Sequence, residues 1–288
     1  MGNGGIIGPT NDPVQLKNVT TFTSSAPGGH TFHAGTTGID YLIVAGSGGR
    51  NPSGIGNSGT GAGGLKVSES SYATPVTGGG TTGAITIGGG GGTGTQGSPS
   101  SIAAGTGGLG PISTTGGGQG VARGGTGQPG GSGSGGGDGY PSNTTSGGSG
   151  TGSEGNSGGP GGPGEPSGAG GGYTAAGGAN YNPQYGPGDG YSSDIESPAG
   201  APVSLDYAIG ANGEGSPGDA GFGNNPAWID AGSPTSGTGR ANSGMGTLYG
   251  DSSDGVVVIN ENGGAGVVAS GVWTLREQFD QKKDGVWT

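Results

Sequence analysis

The residues best suited to form a binding surface in this chain are aromatic. Four tyrosines fall within nineteen residues, set among Gly, Pro, Asn and Gln: Tyr173, Tyr181, Tyr185 and Tyr191. Rings of this type combine a flat apolar face with a polar edge, which suits contact with sugars or with protein. Tyr140 and Trp228 complete the candidates for this binding surface. A small local core, in which the tyrosines only pack, explains the same spacing, and both interpretations stay open.

Patterns for catalysis or metal binding are weak. The run Gly155-Asn156-Ser157-Gly158-Gly159 has the spelling of a nucleophile elbow, but no strand and helix are predicted beside it. His30 and His33 are the two histidines, and on a predicted strand their odd spacing directs them to opposite faces. Several acidic residues could ligate calcium but follow no fixed loop spacing: Asp189, Asp194, Glu196, Asp251 and Asp254. We predict no enzyme activity, no cofactor and no metal site, and solvated acidic loops rather than calcium sites.

Charge and hydropathy narrow the class of partner. The formal net charge is −11, and residues 124–239 contain ten acidic residues and no Lys or Arg. An acidic surface repels phosphate backbones and other anions, so we expect no nucleic acid and favour neutral glycans or protein. No run approaches 18 apolar residues, which predicts no membrane insertion. The first residues lack the basic and apolar regions of a signal peptide, so we expect no entry into a secretory pathway.

Glycine supplies 84 of the 288 residues and recurs with a period of three. It occupies every third position from Gly124 to Gly139, and again from Gly155 to Gly164. A left-handed threefold helix of the polyproline II type places every third residue on one face. We therefore expect 124–139 to be extended, with its phased glycines against neighbouring backbone. Three residues of this segment are expected to face outward: Gln128, Pro129 and Asp138.

Two continuous apolar runs, residues 42–44 and 256–259, predict central strands buried on both faces and paired with each other. Residues 21–23, 31–33 and 84–87 are also strand-like because β-branched and aromatic residues dominate them. The predicted fold class is all-β. It consists of a small β-sandwich, an inserted glycine-rich bundle like polyglycine or polyproline II, and one short C-terminal helix.

Three regions are predicted along the chain. They are a leader or anchor peptide at 1–20, a glycine-rich β and threefold-helix body at 21–260, and a C-terminal anchor element at 261–288. Thr274 and Glu277 form a capping box for the short helix, which is too short to persist alone in water and must dock. The assembly-anchor candidates are apolar: Ile6, Ile7, Trp273, Leu275, Phe279 and Trp287.

Several segments resemble a known family when taken in order. They are Thr21-Phe22-Thr23-Ser24-Ser25, residues 40–49, residues 61–65, residues 85–89 and residues 254–259. This order is similar to the glycine-rich domain of tail-fibre and surface proteins of tailed phages, especially aquatic ones, over about 20–260. Residues 269–279 with 285–287, and the leader at 4–9, resemble short terminal elements of marine phage structural proteins. A looser similarity links the body to the polyglycine II bundles of phage adhesins.

The resemblance implies a non-enzymatic protein on the virion surface, exposed as a fibre, tip or decoration and present in several copies. Its expected partners are other virion proteins, copies of itself, and a host surface glycan or protein. One alternative is a purely structural virion or filament subunit without a receptor. Another is an ice-binding glycine-rich protein, which would favour Thr at every third position, whereas Thr126, Thr144 and Thr151 do not recur in that way.

Overall fold

The structure is a computed structural model that describes residues 18–52, 57–163, 167–179, 186–196, 204–211, 213, 241–246 and 252–262. Within these ranges the regular elements are strands, without a helix: β1 (Asn18–Phe22), β2 (Gly38–Val44), β3 (Leu65–Ser68), β4 (Thr74–Pro75), β5 (Ile85–Thr86), β6 (Ser101–Ile102), β7 (Ile112–Ser113), β8 (Tyr191–Ser193), β9 (Leu205–Tyr207) and β10 (Val256–Glu261). The protein is β-rich, as predicted. The predicted helix near Thr274 lies outside the described residues, and the described part contains no helix that could cross a bilayer.

The largest sheet has the strand order β1-β10-β2-β3, and β4 pairs with the start of β2. Strand β10 lies between β1 and β2, with Val257 opposite Ile43 and Val258 opposite Leu42. This pairing confirms that the two continuous apolar runs are sheet neighbours. Because β2 and β10 are more than 200 residues apart in the chain, their pairing closes the glycine-rich sequence between them into one large loop.

Side chains of the two central strands alternate between two hydrophobic clusters, one on each face of this sheet. The first cluster consists of Leu42, Val44, Ala62, Leu65, Ile195, Tyr207, Ala208, Val256 and Val258. The second consists of Phe32, Ile39, Ile43, Ile85, Ile102, Leu109, Val257 and Ile259. Adjacent residues such as Leu42 and Ile43 belong to different clusters, as the two-residue period of a strand requires. Both central strands are buried on both faces, as their uninterrupted apolar composition predicts.

Two smaller sheets supply the side chains that oppose the central sheet. Strands β5, β6 and β7 form an antiparallel sheet, which contributes Ile85 and Ile102 to the second cluster. Strands β8 and β9 form an antiparallel pair, which contributes Tyr207 to the first cluster. Most of the large apolar residues in the described ranges are thereby concentrated on the two faces of one sheet.

Backbone hydrogen bonds join the glycine-rich segments to one another in steps of three residues. The N–H groups of residues 133, 136 and 139 donate to the carbonyls of residues 156, 159 and 162, at 2.9 to 3.0 Å. In the segment at 61–64, Gly61 and Gly64 donate to a single neighbouring segment, at Gly118 and Thr115. The two residues between them donate elsewhere, Ala62 to Gly171 and Gly63 to Gly244. A flat strand would instead return to the same neighbour every second residue.

The segment at 124–139 is enclosed more completely than the glycine period predicts. Residues 130–139 are all buried, and an added methyl group would overlap neighbouring atoms at unphased Gly131 and Gly135 as well as at phased Gly133. The segment begins with a turn at Gly124, whose φ of 74° lies in the left-handed region. Close backbone contact therefore occurs on several sides of this segment, because neighbouring segments surround it.

The structure differs from the predictions made for Asp138 and for residues 31–33. Asp138, expected to face outward with Gln128 and Pro129, is fully buried because it pairs with a basic side chain and accepts backbone hydrogen bonds. Residues 31–33 form no strand beyond a single bridge between Thr31 and Thr81. Their backbone groups turn instead, since the N–H of Thr36 donates to the carbonyl of His33.

Candidate functional site

Tyr140 is the candidate residue that the described structure leaves open to solvent. Its residue surface is 54% exposed, and among the described residues it is the one large hydrophobic side chain of this kind. It lies in a turn that follows the buried segment at 130–139. An exposed aromatic ring at the end of a buried, close-packed segment offers contact area with little loss of conformational entropy on binding.

Asp138 organises the surroundings of the Tyr140 ring. Its Oδ1 accepts the backbone N–H of Tyr140 at 2.6 Å, and its Oδ2 accepts the Nε–H of Arg123 at 2.6 Å. Its carbonyl accepts the backbone N–H of Gly124, also at 2.6 Å. One buried residue thus joins the turn at 123–124 to the turn that carries Tyr140.

The guanidinium of Arg123 covers part of the tyrosine ring. Its central carbon lies 4.9 Å from the ring centroid, a distance at which a cation–π contact at an exposed site contributes about 0.5–1 kcal/mol. Because Asp138 balances the charge of Arg123, the patch carries an aromatic ring without a net charge. Such a patch can bind a neutral planar or ring-shaped group by stacking, and it offers no pairing for an anion beyond a guanidinium that is already engaged.

The roles of Arg123 and Asp138 were not anticipated from the sequence, although the sequence does contain a signal. They are the only charged residues between Glu69 and Glu154. Two opposite charges isolated in a long uncharged stretch are expected to pair if that stretch is buried. The burial of the stretch, however, depends on which segments surround it.

Tyr173 and Tyr191 are brought together at a different place. Their ring centroids are 5.6 Å apart with an interplanar angle of 82°, an edge-to-face contact. Both rings are partly buried and pack against the first hydrophobic cluster. If the tyrosines form a small local core and do not bind a receptor, these are the contacts expected of Tyr173 and Tyr191.

Glu69 fixes the hydroxyl end of Tyr191. The Tyr191 hydroxyl donates to Oε2 of Glu69 at 3.1 Å, and the hydroxyl of Ser193 donates to the other carboxylate oxygen. Burial, together with the negative charge of Glu69, raises the pKa of Tyr191 to about 12. The hydroxyl therefore stays protonated as a hydrogen-bond donor, which ties β8 to the residue that follows β3.

The other predicted site residues lie outside the described residues: Tyr181, Tyr185, Trp228, Ile6, Ile7, Trp273, Leu275, Phe279 and Trp287. The receptor and anchor roles assigned to them stay predictions. In the described ranges, no group of three or more His, Asp or Glu residues is arranged to hold a metal ion.

The candidate site at Tyr140 consists of the exposed ring, a paired guanidinium and backbone amides. These groups are suited to binding a partner by stacking. The described groups around Tyr173 and Tyr191 are suited to packing and to hydrogen bonding within the protein. A comparison with known protein families, curated proteins and solved structures finds no match to this chain.

Proposed function

We propose that this chain is a structural protein on the surface of a tailed-phage virion, where it forms a tail fibre, a tip or a surface decoration. It contacts the host surface through exposed aromatic side chains and is not an enzyme. Display of several copies converts weak single contacts into strong attachment. The observation that carries this proposal is the exposed Tyr140 ring on a buried, largely uncharged glycine-rich framework.

The proposed framework is a bundle of polyglycine II-type segments inserted into a small β-sandwich. It is supported by backbone hydrogen bonds that return to the same neighbour every third residue, as in the contacts of residues 133, 136 and 139. It is also supported by the absence of room for a side chain at Gly61, Gly133 and Gly135. A framework held by backbone contacts needs few apolar side chains, which leaves aromatic residues available for the surface.

The proposed receptor contact is at Tyr140, and the receptor is a neutral glycan or a protein. The ring is exposed, the neighbouring Arg123 is balanced by Asp138, and the net charge of the chain is −11. An anionic receptor would meet an unfavourable potential over most of the surface. A neutral sugar ring or an apolar protein group can stack on the tyrosine without that repulsion.

The alternative is a structural virion or filament subunit that has no receptor. The edge-to-face packing of Tyr173 on Tyr191 and the hydrogen bond from Tyr191 to Glu69 favour it. Two of the tyrosines that the sequence predicted as receptor contacts are engaged within the protein instead. The two functions differ in what they expect of Tyr140, which a purely structural subunit does not need.

Replacing Tyr140 with Ala is expected to reduce adsorption of the particles to host cells. Truncating an aromatic hot-spot residue costs about 2 kcal/mol or more, which is about thirtyfold in a single-site dissociation constant. Adsorption rates of particles with Tyr140→Ala and Tyr140→Phe are compared with wild type, and Tyr140→Phe keeps the ring as the matched control.

Immunogold labelling of the particles checks that the variant chains are incorporated equally. Equal adsorption of wild-type and Tyr140→Ala particles, with equal labelling, would reject Tyr140 as the receptor contact and favour the structural alternative. Failure of the antibody to label any particle surface would reject the virion location itself.

Removing residues 263–288 is expected to leave a folded body that no longer joins particles. The described sheet ends at Glu261, and the side chain of Asn262 accepts the N–H groups of Thr37 and Gly38 at 3.0 and 3.1 Å, so the cut must follow Asn262. Thermal melts measure folding, and labelling of particles measures incorporation.

A second truncation, after Asn260, is the internal comparison. It removes Glu261 and Asn262 and is expected to melt well below the chain that ends at Asn262. Normal incorporation of the chain that ends at Asn262 would contradict the anchoring role proposed for Trp273, Leu275, Phe279 and Trp287.

A further inference from the structure

Glu261, at the end of β10, forms the centre of a buried polar cluster. Its side chain is fully buried, and its Oε1 accepts a hydrogen bond from His30 Nε2 at 2.8 Å. Its Oε2 accepts the backbone N–H of His33 at 2.9 Å and the hydroxyl of Thr36 at 2.5 Å. His30 and His33 were predicted to point to opposite faces of a strand. That prediction is wrong, because their loop turns and directs both rings toward this carboxylate.

The second ring, His33, has two polar neighbours at the same nitrogen. Its Nδ1 lies 2.7 Å from Nδ2 of Asn18 and 3.2 Å from Oε1 of Glu261. An imidazole nitrogen either carries a proton and donates, or carries a lone pair and accepts. The Asn18 amide nitrogen is a donor and the Glu261 carboxylate is an acceptor, so the two bonds require opposite states of the same nitrogen.

We propose that His33 is a proton-dependent switch between two strands of the central sheet. In the neutral ring, Nδ1 accepts a hydrogen bond from the amide of Asn18 on β1. In the protonated ring, Nδ1 donates to the carboxylate of Glu261 on β10, and the bond from Asn18 is lost. The switch is a property of the folded body and does not depend on the proposed virion function.

The residues around the two histidines allow the hydrogen bond of His33 to change partner while the hydrogen bond of His30 to Glu261 is kept. His30 is held by edge-to-face contacts with Phe22 and Phe32, at centroid distances of 5.9 and 5.4 Å, so its bond to Glu261 stays in place. The His33 side chain is 49% exposed and exchanges protons with solvent directly. The described titratable groups that face His33 are Glu261 from β10 and His30 from the same loop, while β1 contributes the uncharged Asn18.

The position of the switch gives it a structural consequence. Asn18 is opposite Glu261 in the register of β1 and β10, and it is the first residue of β1. In its neutral form, His33 ties the side chain of Asn18 to the body. When the ring is protonated, this tie is exchanged for a second charge-assisted hydrogen bond to Glu261, which holds the end of β10 more strongly. The first residue of β1 and the last residue of β10, which lie side by side, are therefore held in opposite protonation states of His33.

Long-range ¹⁵N–¹H NMR spectra of the full chain test this switch directly, because they report which ring nitrogen carries the proton. Comparison with His33→Asn assigns the signals of the two histidines. In neutral His33 we expect Nδ1 to be unprotonated and a side-chain amide proton of Asn18 to be shifted by hydrogen bonding. That amide shift is expected to disappear with the same pH midpoint as the protonation of His33.

Two variants separate the two bonds of His33. Asn18→Ala removes the donor to the neutral ring, and the shifted amide signal is expected to be absent from its spectra at every pH. Glu261→Gln removes the carboxylate that accepts from the protonated ring, and the shifted amide signal is still expected in neutral His33. The wild-type tautomer decides the question without a variant if Glu261→Gln does not fold. Neutral His33 with the proton on Nδ1, or an Asn18 amide shift that persists in protonated His33, would overturn the switch.

Discussion

Replacing Gly135 with Ala is expected to lower the melting temperature of the protein by about 6–12 °C. A methyl group at this position would overlap the carbonyl group of Gly168, while the N–H of Gly135 donates to the carbonyl of Gly59 at 2.9 Å. Both neighbours are backbone, so no side chain can move aside. Overpacking costs about 1–3 kcal/mol, and we expect the upper end, which at about 2–4 °C per kcal/mol gives this shift.

Gly152→Ala is the matched control, because Gly152 lies in the same glycine-rich sequence and has no atom within reach of an added methyl group. Its melting temperature is expected to stay the same or to rise slightly, since Ala restricts the unfolded chain. Thermal melts by circular dichroism or calorimetry measure both variants. Similar melting temperatures for Gly135→Ala and Gly152→Ala would contradict the close backbone packing between the segments that contain Gly59, Gly135 and Gly168.

Replacing Glu261 with Ala is expected to be at least as damaging. The change leaves His30, Thr36 and the N–H of His33 as donors without this buried acceptor. Breaking a buried charged network by removing one partner costs about 3–5 kcal/mol, a fall in melting temperature of roughly 10 °C or more for a protein of this size. Asp254→Ala is the control, since Asp254 is exposed and its carboxylate accepts the N–H of Gly90 at 2.7 Å. We expect its effect to stay below about 1.5 kcal/mol.

The contribution of Glu261 also depends on pH. Burial by itself raises the pKa of the Glu261 carboxyl, but hydrogen bonds from Thr36, His30 and His33 outweigh it, so the pKa falls below its ordinary value of 4.5. A carboxyl whose pKa is lower in the folded state stabilises the fold fully above the ordinary value, and this stabilisation is lost as the pH falls through the folded value.

The difference in melting temperature between wild type and Glu261→Ala is therefore expected to shrink as the pH falls below the ordinary carboxyl pKa of 4.5. Melts at a series of pH values measure it. A difference that grows as the pH falls below that value would mean that the carboxylate is not held by these donors.

The pairing of β2 with β10 could be predicted from the sequence because it depends on composition. Residues 42–44 and 256–259 are continuous apolar runs in a chain that has few others, so each run requires the other for burial. The period of three among the glycines likewise predicted that backbone would approach backbone along 124–139. Both features are patterns of composition, and their physical consequence follows from the sequence without knowledge of the other contacts in the fold.

Tertiary structure alone decided which segments are neighbours and which polar residues they enclose. Asp138 is buried because the turn at 123–124 brings Arg123 to it, fifteen residues away. Tyr140 is exposed while Tyr173 and Tyr191 pack on each other, although all three are tyrosines in similar glycine-rich sequence. In segments of nearly uniform small residues, every pairing has a similar local energy. The choice among pairings is therefore made by the few side chains that must be buried together, as Glu261 is with His30 and His33 from more than 220 residues away.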